Sequence, residues 1–121
     1  MPLILVVDDS PTEVFVIRRA LEQQGYQTAA AADGDEGFRL AKSMKPDLIF
    51  MDIVMPGVNG FQATRQLAKD PETCGIPVVM VTSKGQDTDR IWGMRQGAVD
   101  YLVKPVSPQQ LVAKVQAVLA H

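Results

Sequence analysis

Three aspartates, a hydroxyl and a lysine stand out as residues that could do chemistry together: Asp8, Asp9, Asp52, Thr82 and Lys104, with Ser83 beside the threonine. Carboxylates brought together repel one another. At about 4 Å and an effective dielectric near 20, each like-charge contact costs roughly 4 kcal/mol, enough to force protonation of one group at neutral pH. Lys104 can offset one negative charge and a hard divalent cation two more. An all-oxygen donor set with room for water and phosphate suits Mg²⁺, and the absence of His or Cys nearby in sequence argues against zinc. A carboxylate, a cation, a lysine and a hydroxyl are also what phosphoryl transfer needs. Aspartate can act as a nucleophile and form an aspartyl phosphate, a lysine and a metal neutralise the phosphoryl oxygens, and a hydroxyl can donate to one of them.

These residues must be positioned by elements that bring distant parts of the chain to one place. Leu3 to Val7, Leu48 to Met51 and Val78 to Val81 are short, branched apolar runs, as expected of strands buried on both faces of a parallel sheet. Weaker strands are predicted at Gln27 to Ala31 and Val99 to Val103. Between them lie helical patterns: Val14, Ile17 and Leu21 beside Arg18 and Glu22, then Gly37 to Met44, Phe61 to Lys69, Arg90 to Gln96 and Leu111 to Leu119. Ser10-Pro11-Thr12-Glu13 and Ser107-Pro108-Gln109-Gln110 read as capping boxes with Pro at the first helical position, and Asp33 with Glu36 as a looser version. Gly25 and Gly97 follow helical patterns and suit left-handed C-caps.

Five β units alternating with five α units predict a parallel sheet covered by helices on both faces. In such sheets ligands bind beyond the carboxyl ends of the strands, where strand order reverses. Asp8 and Asp9 end the first strand, Asp52 the third, Thr82 and Ser83 the fourth, and Lys104-Pro105 the fifth, whereas the second ends in Ala30, Ala31 and Ala32. Taken singly, each has a plainer explanation: a helix cap for Asp9 or Ser10, a β-branched strand residue for Thr82, a surface charge for Lys104. The set on one rim is what points to a site.

Composition bounds the rest. The 121 residues suit one domain over 1–121, and 46% hydrophobic with 21% charged residues is an ordinary globular balance. Acidic residues exceed basic by 14 − 12 = 2, which argues against a nucleic-acid backbone binder. Cys74 is the sole cysteine, so it has no disulfide partner in the chain and is expected to be an unpaired thiol. Without a signal-peptide pattern or an apolar run of membrane-spanning length, the expectation is a cytoplasmic protein with no membrane insertion.

Asp8-Asp9, Asp52-Ile53-Val54-Met55-Pro56-Gly57, Gly60, Val81-Thr82-Ser83 and Tyr101-Leu102-Val103-Lys104-Pro105 together closely resemble the CheY-like receiver domain of bacterial two-component response regulators, over essentially the whole chain. The resemblance implies a flavodoxin-like, doubly wound (βα)5 fold with a five-stranded parallel sheet in the order 2-1-3-4-5. It implies Asp52 as acceptor of a phosphoryl group from a histidine kinase, for which a CheA-like enzyme is one candidate. It implies Mg²⁺ on Asp9, Asp52 and the Val54 backbone carbonyl, with Asp8 supporting the metal directly or through water. It further implies Lys104 pairing with the phosphate, Thr82 and Tyr101 as the switch pair, and a cis Lys104–Pro105 bond. Val7 to Glu13, Asp52 to Leu67 and Arg95 to Ala98 look most like the stand-alone PilH-type regulators of type IV pilus twitching motility. Val54 and Lys84 depart from the common chemotaxis pattern near the path of the attacking water, and Ser83 takes the place of a commoner small Ala; these changes bear on phosphate lifetime.

A phosphate adds nearly two negative charges to the rim and can bias a two-state element that contacts it. The Thr82 loop and Tyr101 lead into the predicted helices at 87–96 and 107–120. Ile91 and Met94 are expected in the core with Trp92 half-buried; alternatively Trp92, Arg90 and Arg95 help form a protein-docking surface over 87–121, with Val106. No output domain is expected after His121, itself expected to be inert, so the signal would leave by protein contact or the protein would drain phosphate from a shared kinase. Two other classes compete: a haloacid-dehalogenase-type phosphatase, whose nucleophile lies on the first strand in an Asp-x-Asp pattern, and a phosphate-independent interaction module.

Overall fold

The computed structural model describes residues 2–55, 57–83 and 87–120, with 87–89 by backbone alone. Lys84 and His121 therefore lie outside the described residues. The elements run β1 (Leu3–Val7), α1 (Pro11–Glu22), β2 (Gln27–Ala31), α2 (Gly34–Met44), β3 (Leu48–Asp52), α3 (Gly60–Lys69), β4 (Val78–Thr82), α4 (Asp87–Gln96), β5 (Asp100–Val103) and α5 (Pro108–Leu119). The sheet is wholly parallel in the order β2-β1-β3-β4-β5, as expected. Strand order reverses between β1 and β3, so a crevice opens where β1 and β3 end.

The apolar runs form strands because both of their faces are covered. Ile4, Val6, Leu48, Phe50, Val79 and Val81 pack against Ile17 and Leu21 of α1 and Leu111 and Val115 of α5. Leu5, Val7, Ile49, Met51 and Met80 pack on the other face with Ala41 of α2 and Ala63 and Leu67 of α3. Helix α4 differs. Ile91, Trp92 and Met94 are 54%, 49% and 42% exposed, so the expectation that Ile91 and Met94 lie in the core is corrected. The side that α4 turns inward carries Gly93, where an added Cβ would stand 3.3 Å from Met80 Cγ, and the buried Gln96. The helix approaches the sheet on its smallest residue, and its large apolar side chains are left outside.

Helix ends follow the caps with one revision. Ser107 and Gln110 form the full reciprocal box that starts α5. Ser10 Oγ accepts from the Glu13 amide, but the Ser10 amide donates to Asp8 Oδ1 at 2.9 Å. Asp8 thus satisfies the donor that the box assigns to Glu13. Gly25 and Gly97 take the expected positive φ. Strand β5 starts at Asp100 rather than Val99, which is exposed although its amide bonds Val78 O.

Candidate functional site

The strand ends deliver the expected side chains to one rim. Register sets Val7 beside Met51, Asp52 beside Val81 and Thr82 beside Val103. Asp8, Asp52 and Lys104 thus arrive on one side of the sheet at the ends of β1, β3 and β5, with β4 between the last two, and the Lys104 amide bonds Thr82 O at 2.7 Å. One oxygen from each of Asp8, Asp9 and Asp52 lies within 4.8 Å of the others. Asp8 and Asp52 are buried, at 3% and 7% exposure, while Asp9 faces solvent. Lys104 Nζ reaches Asp8 Oδ2 at 3.0 Å and Asp52 Oδ1 at 3.5 Å. Thr82 is buried at the end of β4, and Ser83 beside it is exposed. The Lys104–Pro105 bond is cis.

Charge and burial pull these groups in opposite directions. Burial of the Asp52 carboxyl, with the Asp8 and Asp9 charges added, outweighs the pull of Lys104 and pushes it up to about 6. For Lys104, burial opposes the charged form, but the hydrogen bond to Asp8 and the Asp52 and Asp8 charges prevail and hold its pKa above the ordinary 10.5. Lys104 therefore stays an ammonium at neutral pH, and Asp52 holds its proton more tightly than an ordinary carboxyl. Three carboxylates with an oxygen each inside one 4.8 Å cluster fit a hard divalent cation.

The loop after β3 depends on close backbone contact. Gly60, the first residue of α3, donates its amide to Ile53 O at 2.9 Å, and a Cβ there would stand 2.1 Å from Asp52 O. No side chain fits without moving the strand end that carries Asp52. Gly60→Ala is expected to cost about 2–4 kcal/mol in urea-induced unfolding, and a loss below about 0.5 kcal/mol would contradict this role for the contact. Val54 projects an exposed side chain beside this loop.

Tyr101 lies partly buried against the core beneath α4, beside a recess lined by Ile53, Met80, Thr82, Arg90, Met94 and Ala98 that has no room for a water molecule. The Arg90 guanidinium lies 5.2 Å from the centre of the Tyr101 ring. Sequence patterning gave no sign of this stack, because the two residues belong to different elements eleven positions apart. Lys114 Nζ on α5 holds Asp100 Oδ2 at 2.6 Å and so ties the start of β5 to the last helix. On the other flank, the rim of Ala30, Ala31 and Ala32 and the side chain of Glu36 line a shallow acidic hollow with Asp8 and Asp9. The second strand thus supplies small walls to the hollow.

Comparison with known proteins gives one answer. The family model of the response regulator receiver domain matches residues 4–116. Protein PilH of Pseudomonas aeruginosa is 57% identical over 120 residues, covering 99% of each chain. The DNA-binding regulator RpaA of Synechocystis is 42% identical, and the match covers 98% of this chain but 49% of RpaA. The chain therefore spans nearly all of PilH and about half of the longer relative. Among solved structures, chemotaxis protein CheY4 of Vibrio cholerae superposes with a TM-score of 0.93 at 30% identity, covering 98% of both chains. A response regulator from Chloroflexus aurantiacus superposes at 0.94 with 33% identity, covering 99% of this chain and 98% of that one.

Proposed function

Because the chain belongs to the response regulator receiver family, we propose that it is a phosphorylation-dependent switch whose acceptor is Asp52. The observation that carries this reading is Lys104 Nζ within reach of both Asp8 and Asp52 at the strand ends, with Asp9 alongside. An Asp52 carboxylate oxygen attacks the phosphorus of a phosphohistidine on a histidine kinase. The new bond is Asp52 O–P, the broken one is N–P, and the released imidazole takes up a proton. Lys104 turns its charge from Asp52 toward the incoming phosphoryl oxygens, and the Thr82 hydroxyl donates to one of them. Asp8, Asp9, Asp52 and the Val54 backbone carbonyl would hold Mg²⁺. When bound, the metal neutralises charge on the transferring group.

Signalling follows through Thr82 and Tyr101. Drawing Thr82 toward the phosphate changes the wall of the recess beside Tyr101, and the Arg90–Tyr101 stack must adjust with it. The exposed Ile91, Trp92 and Met94 of α4, Val99 just before β5 and Val103 at its end support a protein-docking surface on this side of the domain. No helix of the described residues is long and apolar enough to cross a membrane, in keeping with a cytoplasmic regulator. Likeness to PilH over nearly all of both chains supports a role in pilus-related signalling, and the proposed phosphodonor is a CheA-like histidine kinase.

Phosphotransfer profiling against the histidine kinases of the same cell tests this reading. One kinase should transfer within seconds in Mg²⁺ and lose the reaction in Asp52→Asn. Transfer from none, with folded protein and short-lived product controlled for, would overturn the proposal. Loss of pilus-dependent movement in Asp52→Asn without any phosphorylation-dependent partner would favour a phosphate drain over an output contact.

A further inference from the structure

Away from the strand ends that carry Asp52, α3 and α4 finish side by side. Arg65 and Lys69 on α3 and Arg95 on α4 line a groove of about 370 Å³ floored by Ala68, Gln96 and Gly97. Gly97 has φ +116°, and a Cβ added there would stand 2.8 Å from Ala68 Cβ, so the two helices approach closely and bring the three cations onto one groove.

These cations differ from most of the others in the chain. Arg18, Lys42, Lys45, Lys104 and Lys114 all face carboxylates. Among the described residues, Arg65, Lys69 and Arg95 make no ion pair. Lys69 and Arg95 lie in the last turns of their helices, where the helix dipole favours a cation. Arg65 lies one turn earlier and stands at i,i+4 to Lys69, a like-charge spacing that opposes helix formation. A protein with an acidic excess of two thus gathers in one groove three positive charges that face no carboxylate among the described residues.

We propose that the groove between the C-terminal ends of α3 and α4 binds an acidic polypeptide segment of a partner protein. Carboxylates spaced along an extended chain can meet Arg65, Lys69 and Arg95 in turn, and the two guanidinium groups offer bidentate geometry to them. Ala68 and the aliphatic stems of the basic residues give the segment an apolar floor. A nucleic acid gains affinity with each phosphate neutralised, and three cations on a net acidic protein give it little. A lipid surface needs a flat or convex basic face, whereas this one is concave. The groove lies away from Asp52, so occupancy requires no phosphorylation and stands independently of the proposed function.

The test is fluorescence anisotropy with a labelled deca-glutamate peptide at low salt. The variant is Arg65→Glu/Lys69→Glu/Arg95→Glu, checked for fold by circular dichroism and for phosphoryl uptake. Wild type should bind with salt-sensitive affinity, and the variant should bind at least about tenfold more weakly. Backbone amide NMR shifts in wild type should cluster at Arg65, Lys69, Arg95 and Gly97, which keeps the proposal testable if the variant fails to fold. No binding, undiminished binding by the variant, or shifts clustered elsewhere overturns it. Tighter capture by single-stranded DNA or by phosphatidylglycerol vesicles, lost in the same variant, overturns the polypeptide assignment.

Discussion

Metal-free Asp52→Asn is expected to be more stable than the wild type at pH 7, by about 1–3 kcal/mol. The Asp52 carboxyl titrates in the unfolded chain near the ordinary 3.8 and in the fold at about 6, chiefly because it is buried and then because Asp8 lies beside it. Between those values the native protein binds more protons than the unfolded chain. Stability therefore falls as pH rises through that window and stays lower above it. Asparagine keeps the shape and removes the charge, so the penalty disappears at pH 7. Below about pH 3, where the wild-type carboxyl is protonated in both states, the advantage should vanish. Mg²⁺ should stabilise the wild type more than the variant, by about 1.4 kcal/mol at ten times its Kd, and so narrow the gap at pH 7. Thermal melts at pH 3 and pH 7 in chelator, and at pH 7 in Mg²⁺, check all of this. A variant less stable than wild type at pH 7 without metal would contradict the charge-crowding account.

Lys104→Ala should have the opposite sign. The lysine has its pKa raised in the fold, so its contribution is fully present below 10.5 and is lost only as pH climbs through the folded value. At pH 7 its removal leaves Asp8 and Asp52, both buried, without the ammonium that reaches them. Stranding buried charge is costly, and with Lys104 partly solvated the expected loss is about 2–3 kcal/mol. The protein should still fold, since small domains have about 5–15 kcal/mol in hand, but phosphoryl uptake should slow about tenfold or more. Asp52→Asn placed on top of Lys104→Ala should recover much of the stability, because one of the stranded charges is gone. Additive effects in that double-mutant cycle would show that the two groups do not interact.

The rim was legible in the sequence because its residues follow strands that are themselves easy to read. Leu3–Val7, Leu48–Asp52 and Val78–Thr82 are apolar on both faces, and a parallel sheet puts all their ends on one side. What the sequence left open is pairing at atomic range. Nothing in it assigned Lys104 to Asp8 more closely than to Asp52, since that depends on how the turn after β5 aims a long side chain. The Ser10 amide turned to Asp8 in place of Glu13 because Asp8 is two residues away and held inward. Helix α4 misled the reading of Ile91 and Met94, because a helix that packs on Gly93 leaves no apolar stripe to find. The Asn59–Gln62 capping box that starts α3 has the regular spacing of such boxes.

The central claim is that Asp52 is a metal-assisted nucleophile, and intact mass spectrometry tests it most directly. Protein incubated with acetyl phosphate and Mg²⁺ should gain one phosphoryl group, gain none when the metal is chelated before the donor is added, and show none in Asp52→Asn. The adduct should map by borohydride trapping and peptide sequencing to Asp52 and to neither Asp8 nor Asp9. An adduct of equal yield in Asp52→Asn, or sustained turnover of a phosphate ester by that variant, would contradict it and favour a phosphatase-like site instead.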